Sequence, residues 1–359
     1  MPHPGLASQR RLSVRSARQV CASYSLGEIV RFAPVAAGTL NLNYLVETSR
    51  GRYFLKHYVG MRRADLQQQH RLLGALQAAG LSVAAPVADQ HGQTFMTISQ
   101  RPLAVFPWID GEHRPHSVVS DDDCHAIGAL LGRTHLALAE AGADAQQTFM
   151  LPPIRVERTL ARVSQLRQLV QAHQVLLPGD PFDDLADACL DFTLDQLRQR
   201  ARKEIGSQPC VTAWQWTHGD FHAGNVFFQP DGTLTLIDWD KARVQPRLFE
   251  LIRAIVLWLA DAQTGELDVH LAWSMMRGYA AWVPVEPRVL PQIVDYFWWS
   301  KLNDLWILDR HYVQADPIAD GLLQPTLGFL RWLLDRRQIL AEALEDAAHV
   351  DSSPPRVPQ

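Results

Sequence analysis

The stretch "THGDFHAGNVFFQPDGTLTLIDWDKA", residues 217–242, constrains the fold more than any other part of this chain. It reads as two short apolar strands, "NVFFQ" and "TLTLID", joined by "PDG", a strong turn signal. A hairpin of this kind brings whatever precedes its first strand beside whatever follows its second. Here the strand ends and flanks are acidic or amide: Asp220 and Asn225 on the entering side, Asp238 and Asp240 on the leaving side. Carboxylates interleaved with Trp, Phe, Val, Leu and Ile belong at the edge of a core, where leaving them unpaired is costly. The arrangement calls for a metal ion, a proton acceptor, or both.

The remainder of the chain supplies a setting for this hairpin. From Ile29 to Tyr58, "IVRFAPV", "NYLVETS" and "RYFLKHYV" are rich in β-branched and aromatic residues, with "SRGR" as a turn, so three antiparallel strands are expected. "RRADLQQQHRLLGALQAAGL" has the spacing of one amphipathic helix ended by Gly80. "SVAAPVAD", "TFMTIS" and "LAVFPWI" read as further strands, and "DGEHRPHS" as a linker. Beyond residue 117 the pattern becomes helical, over roughly 119–141, 154–177, 181–202, 247–261, 266–282, 287–312 and 317–345, and this helical part is expected to carry the acidic hairpin. A length of 359 residues accommodates two lobes with separate cores. The basic, polar start lacks the apolar segment of a secretory signal and reads as an extension over residues 1–25, and the Pro-rich tail, 350–359, reads as disordered.

Composition narrows the functional class. There is no uninterrupted apolar run of membrane-spanning length, and a net charge of −4 offers no general attraction to nucleic acid. Cys21, Cys124, Cys189 and Cys210 are scattered without a CxxC pair, which fits core thiols of a reducing, cytoplasmic compartment. Small molecules are the expected partners. Of 34 basic residues only four are lysines, so Lys56, inside the apolar strand "RYFLKHYV", stands out as a chosen residue.

Phosphoryl transfer requires a protein to hold Mg²⁺ on nucleotide phosphates, orient a hydroxyl nucleophile and neutralise developing charge. Hard cations take oxygen ligands, which Asp and Asn provide. Asp220 and Asn225 have the spacing found between catalytic Asp and metal-binding Asn in protein kinases, and Asp238 ends the return strand. With "HGDFHAGN" followed by "LIDWD", the chain resembles the superfamily of aminoglycoside phosphotransferases, choline kinases and homoserine kinases. The resemblance runs from about Leu26 to the final helices. It implies an α+β, protein-kinase-like two-lobed fold: a small antiparallel-sheet N-lobe with one helix (26–106), a hinge (107–112), and a larger, mostly helical C-lobe (113–349).

By the same resemblance, Asp220 is the catalytic base or the residue orienting the acceptor hydroxyl, and Asn225 and Asp238 are Mg²⁺ ligands. Lys56 touches the ATP phosphates, with Gly38 and Asn41 in the turn that covers them. Phe106 and Trp108 mark the adenine-binding hinge. His218 is a structural member of the catalytic loop, Glu250 in "QPRLFEL" fills a supporting role where relatives often have Asp, and Asp240 is either a supporting partner of the metal site or an ordinary ion pair with Lys241. One departure concerns the lysine: where relatives place a helix glutamate this chain has Gln69, with Asp65 one turn away as a substitute. The opening strands most resemble the homoserine kinase-like branch, which implies an amino acid or amino alcohol as acceptor; an aminoglycoside, choline or ethanolamine is the alternative. For the acceptor, Trp299 and Trp306 lie on one helical stripe with Leu302, and Asp304 and Asp309 are candidate amine partners; the competing account is plain helix packing. Two rival readings are a metallophosphoesterase, for which "GDFH" and "DQH" supply too few ligands, and a non-catalytic pseudokinase-like binding protein.

Overall fold

The computed structural model describes residues 12–35, 41–142, 147–150, 154, 156–202 and 211–349. Gly38, Lys203, Cys210, the first eleven residues and the tail 350–359 lie outside the described residues. Chain contacts divide the protein into two compact units, Met1–His113 with Gly224–Ala242, and Arg114–Ala223 with Arg243–Gln359.

The first unit is built on a five-stranded sheet of β1 (Ile29–Val35), β2 (Leu42–Thr48), β3 (Gly51–His57), β4 (Met96–Ile98) and β5 (Arg101–Pro107), in the order β1-β2-β3-β5-β4. All its pairings are antiparallel, and the register sets Lys56 between Asn43 and Ala104. Tyr44, Val46, Leu55, Leu103 and Val105 bury one face of this sheet.

That face is covered in part by helix α1 (Val14–Ser23), in what the sequence reading took for an extension. Ala17, Val20, Cys21 and Tyr24 recur at i, i+3, i+4 and i+7 and share a core cluster with Tyr44 and Leu55. Arginines on the other positions mask this stripe in a composition-based reading. Burial of Val20 alone contributes about 1.5–3 kcal/mol, and Ala17, Cys21 and Tyr24 add to it, so α1 is part of the fold. Ser13 caps it, accepting from the Ser16 N–H at 3.1 Å. Helix α2 (Arg63–Ala78) follows β3, as expected.

"SVAAPVAD" does not form the expected strand. Pro86 has no N–H to offer a ladder, and the segment divides its backbone bonds between two neighbours. Leu236 N–H donates to Ser82 at 3.0 Å, and Val87 N–H donates to Val105 at 2.7 Å. The first of these bonds, with an isolated bridge between Val83 and Leu236, ties in the hairpin of β8 (Val226–Phe228) and β9 (Leu234–Leu236). Glu112 and Phe228 exchange backbone bonds of 3.0 and 2.9 Å. The acidic hairpin therefore belongs by its contacts to the sheet unit, where the sequence reading attached it to the helical part.

The second unit is mostly helical: α3 (Asp121–Ala141), α4 (Val156–Leu176), α5 (Pro181–Arg202), α6 (Arg247–Leu259), α7 (Val269–Ala280), α8 (Leu290–Leu302), α9 (Trp306–Gln314) and α10 (Leu323–Ala348). It also holds a sheet of β6 (Gln147–Met150), β7 (Val211–Thr217) and β10 (Arg243–Pro246) that the sequence reading missed, although "VTAWQWT" has the residue types of a strand. The helix expected over 287–312 is broken between α8 and α9, where Asn303 turns its side-chain amide back onto the Trp299 carbonyl at 2.8 Å. Gly128 in α3 and Gly278 in α7 bring the two helices together: a Cβ at 128 would collide with the Met275 carbonyl, and one at 278 with the His125 carbonyl.

Candidate active site

In the sheet unit, the conspicuous group is Lys56. Its ammonium lies 2.7 Å from Asp238 Oδ1 and 2.7 Å from Asp240 Oδ1. β3 places the lysine and the residues after β9 place both carboxylates, two positions apart so that both reach the same cation. Asp238 has a left-handed backbone, φ 58°, which a non-glycine residue holds only when its surroundings impose it. The Asp238 side chain is 42% exposed and that of Asp240 only 10%. Burial, and then the adjacent Asp238, hold the Asp240 carboxyl above its ordinary range against the pull of Lys56.

Asp240 is also held from two other elements. The Asn41 amide in the turn before β2 donates to its Oδ2, while Asn41 Oδ1 accepts from the Val59 N–H at 2.9 Å. Gln69 on α2 donates to Oδ1 at 3.5 Å. The missing helix glutamate is thereby accounted for: the carboxylate that pairs with the lysine comes from the strand end, and the helix contributes an amide. Asp65 does not take that role, because it forms a two-bond pair with Arg62 on the surface. Asp240 pairs with Lys56, so it is more than an ordinary partner for Lys241.

Asn225 is buried, and its carbonyl accepts from the Ile237 N–H at 2.9 Å, so it stands across the hairpin from the residue before Asp238. An amide and a carboxylate at the open end of one hairpin suit a hard cation that takes its other ligands from phosphate and water. Among the described residues no cluster of three or more His, Cys, Asp or Glu is arranged to hold a metal. Phe106 is buried edge-on against His70, and the Trp108 N–H donates to the Arg52 carbonyl at 3.2 Å.

In the helical unit, Glu250 on α6 organises the loop after β7. It is fully buried. Oε2 accepts from His135 Nε2 at 2.8 Å and from the His218 N–H at 3.1 Å. Oε1 accepts from the Gly219 N–H and from Gln245 at 3.3 Å. All four acceptor positions of the carboxylate are used. Burial works to raise its pKa, yet the hydrogen bond from His135, the electrostatic surroundings set by the two histidines and the Gly219 N–H outweigh it, leaving Glu250 below the ordinary carboxylate value. Since an ionised carboxylate only accepts, His135 carries a proton on Nε2, and its Nδ1 shares a hydrogen bond of 2.9 Å with the Tyr279 hydroxyl.

The same loop presents Asp220, whose N–H donates to His218 Nδ1 at 3.2 Å. Its carboxylate is paired on Oδ1 with Arg253 at 2.7 Å, and its Oδ2 is 3.4 Å from His222 Nε2. His135, Tyr279 and Arg253 escaped the sequence reading. Only Arg253 left a trace there, three residues after Glu250 and so on the same face of α6.

The candidate acceptor residues are not assembled. Trp299 is packed on Trp298 and beneath the Arg200 guanidinium, 4.5 Å from its ring, while Trp306 begins the next helix and is exposed. The expected stripe is therefore interrupted. Asp304 pairs with Lys301 at 3.2 Å, and Asp309 with Arg162.

The chain is 28% identical over 289 residues to a homoserine kinase from Methylorubrum populi, covering 79% of this chain and 81% of that protein. It superposes on an aminoglycoside phosphotransferase from Alicyclobacillus acidocaldarius with a TM-score of 0.60 at 17% identity, covering 97% and 100% of the two chains. A microcompartment-associated aminopropanol kinase gives a TM-score of 0.56 at 16% identity, with 92% and 98% covered. These likenesses establish the protein-kinase-like α+β fold. Residues 31–285 match the "Phosphotransferase enzyme family", and the chain belongs to that family.

Proposed function

We propose that this protein is an ATP-dependent kinase of a small-molecule hydroxyl, with an amino acid or amino alcohol of the homoserine type as acceptor. The observation that carries the reading is the salt-bridged group of Lys56, Asp238 and Asp240, in a member of a phosphotransferase family. The similarity to homoserine kinases over most of their length supports the acceptor class.

In this reading Lys56 holds the ATP phosphates, and Asn41 belongs to the turn over them, as Gly38 would. The backbone from Phe106 to Trp108 borders the adenine. Asn225 and Asp238 would hold Mg²⁺, which would supply charge neutralisation to the ATP phosphates. Asp220 orients the acceptor hydroxyl and takes its proton as the new P–O bond forms and the bond to the departing ADP breaks. His218 and Glu250 keep the loop rigid, so that Asp220 does not have to be positioned at the moment of reaction. No helix among the described residues is long and apolar enough to cross a membrane. We place the protein in the cytoplasm, where the buried free thiols Cys21, Cys124 and Cys189 stay reduced.

The test is ADP release from Mg·ATP by the purified protein with homoserine, choline, ethanolamine and several aminoglycosides, with Asp220→Asn as control. Stimulation by homoserine that disappears in the variant is the expected result. Stimulation by an aminoglycoside alone would move the acceptor class, and Mg·ATP binding without turnover by any acceptor would favour a pseudokinase.

A further inference from the structure

Two residues one helical turn apart on α6 hold the same loop. Glu250 grips its backbone at His218 and Gly219, and Arg253 grips what remains. Arg253 Nη1 donates to the Gly219 carbonyl at 3.1 Å, and Nη2 donates to Asp220 Oδ1 at 2.7 Å. Gly219, with φ 80°, is thus bound at both its N–H and its carbonyl by one helix. The pair is largely withdrawn from water: the side chains of Arg253 and Asp220 are 19% and 14% exposed. A guanidinium has five donors in a fixed plane, so a two-point grip sets the direction of the carboxylate as well as its charge.

We propose that Arg253 is a positioning residue for phosphoryl transfer: it fixes Asp220 Oδ1, so that Oδ2 is the oxygen that meets the acceptor hydroxyl. This rests on the reading of Asp220 given above. Transfer through a loose transition state depends more on orientation than on a strong base, and a carboxylate held by arginine is ordered and ionised at the expense of basicity. Other charged or titratable groups around Asp220 include His222 at Oδ2, His218 at its backbone N–H, and Arg243, which interacts electrostatically with Arg253, Glu250 and Asp220. Arg253 holds both the carboxylate and the Gly219 carbonyl.

The experiment compares wild type, Arg253→Gln and Arg253→Lys in two readouts: steady-state kinetics with Mg·ATP and L-homoserine, and a carbon-13 NMR titration of the aspartate carboxyls, with the Asp220 signal identified through Asp220→Asn. In Arg253→Gln, kcat is expected to fall about tenfold to a hundredfold while KM for ATP stays put. The acid limb of the rate profile and the Asp220 midpoint should both move to higher pH. Arg253→Lys, with charge but no fork, should restore the midpoint better than kcat; should the glutamine variant fail to fold, the lysine variant alone must lower kcat relative to wild type. An unchanged Asp220 midpoint in Arg253→Gln, or an unchanged kcat in either variant, overturns the proposal. A midpoint that moves in a protein that phosphorylates none of the acceptors leaves the Arg253 grip standing and removes the kinase reading instead.

Discussion

His135 and Glu250 meet at 2.8 Å where neither side chain has any exposure to solvent. A pair so enclosed adds little net stability when complete, but it is destabilising when halved, because the remaining partner keeps its desolvation cost. His135→Ala is therefore expected to lower unfolding free energy by about 3 kcal/mol, and to slow turnover because Glu250 loses one of the contacts that orient it. Glu250 sits below its unfolded pKa, so its contribution is complete above the unfolded value and disappears as pH falls through the depressed folded value. Urea melts of the wild type at neutral and acidic pH, set beside those of the variant, check both statements.

Asp240→Asn leaves Lys56 with Asp238 as its remaining carboxylate partner of the two seen here. The expected outcome is a rise in KM for ATP with a smaller change in kcat, because the lysine is no longer drawn to one position. Adding Gln69→Glu restores a carboxylate from the α2 side, and the double variant should recover part of the lost affinity. Calorimetric titration with Mg·ATP would show it; no recovery would mean that Asp240 acts on something other than Lys56.

His70 is buried on α2 with Nδ1 2.7 Å from Thr94 Oγ1, and burial, followed by the charge of Lys56, lowers its pKa to about 4. The unfolded chain takes up this proton near pH 6.5, the folded chain only near 4, so acid favours unfolding throughout that interval. His70 should remove about 2–3 kcal/mol of stability as pH falls from 6.5 to 4. A His70→Gln variant should show a flatter dependence of its urea midpoint on pH over the same interval.

Gly278→Ala places a methyl group against the His125 carbonyl at the closest approach of α3 and α7. Overpacking of this kind costs about 1–3 kcal/mol, and here it also displaces Tyr279, whose hydroxyl supports His135. A lower Tm together with reduced kcat is expected. A lower Tm with full activity would separate helix packing from support of the loop.

What could be read from the sequence was mainly short-range. The hairpin, its turn and the acids at its ends lie within one stretch of chain and follow from local pattern, as does the antiparallel run from Ile29 to Tyr58. The partners of those acids were hidden because they come from far away: Asn41 and Asp240 are 199 positions apart, and His135 and Glu250 are 115. Periodicity reports which face of an element is buried and is silent about what it is buried against. For the same reason the apolar spacing of α1 does not reveal the sheet it covers, and the spacing from Trp299 to Trp306 does not reveal the helix end at Asn303.

The sheet unit is completed by a hairpin that arrives late in the chain: Ser82 and Thr235, whose hydroxyls lie 2.7 Å apart, are separated by 153 residues. During synthesis the five strands emerge long before the segment that supplies Asp238 and Asp240, so Lys56 must wait, without its carboxylate partners, while much of the helical unit is made. Contacts of such long sequence separation carry a loop-closure cost and slow folding. Nor can either unit be released by a single cut, since each is composed of two separate stretches of chain. The ion-paired lysine therefore forms only once Asp240 has been made, and a chain that stops before that position is without it.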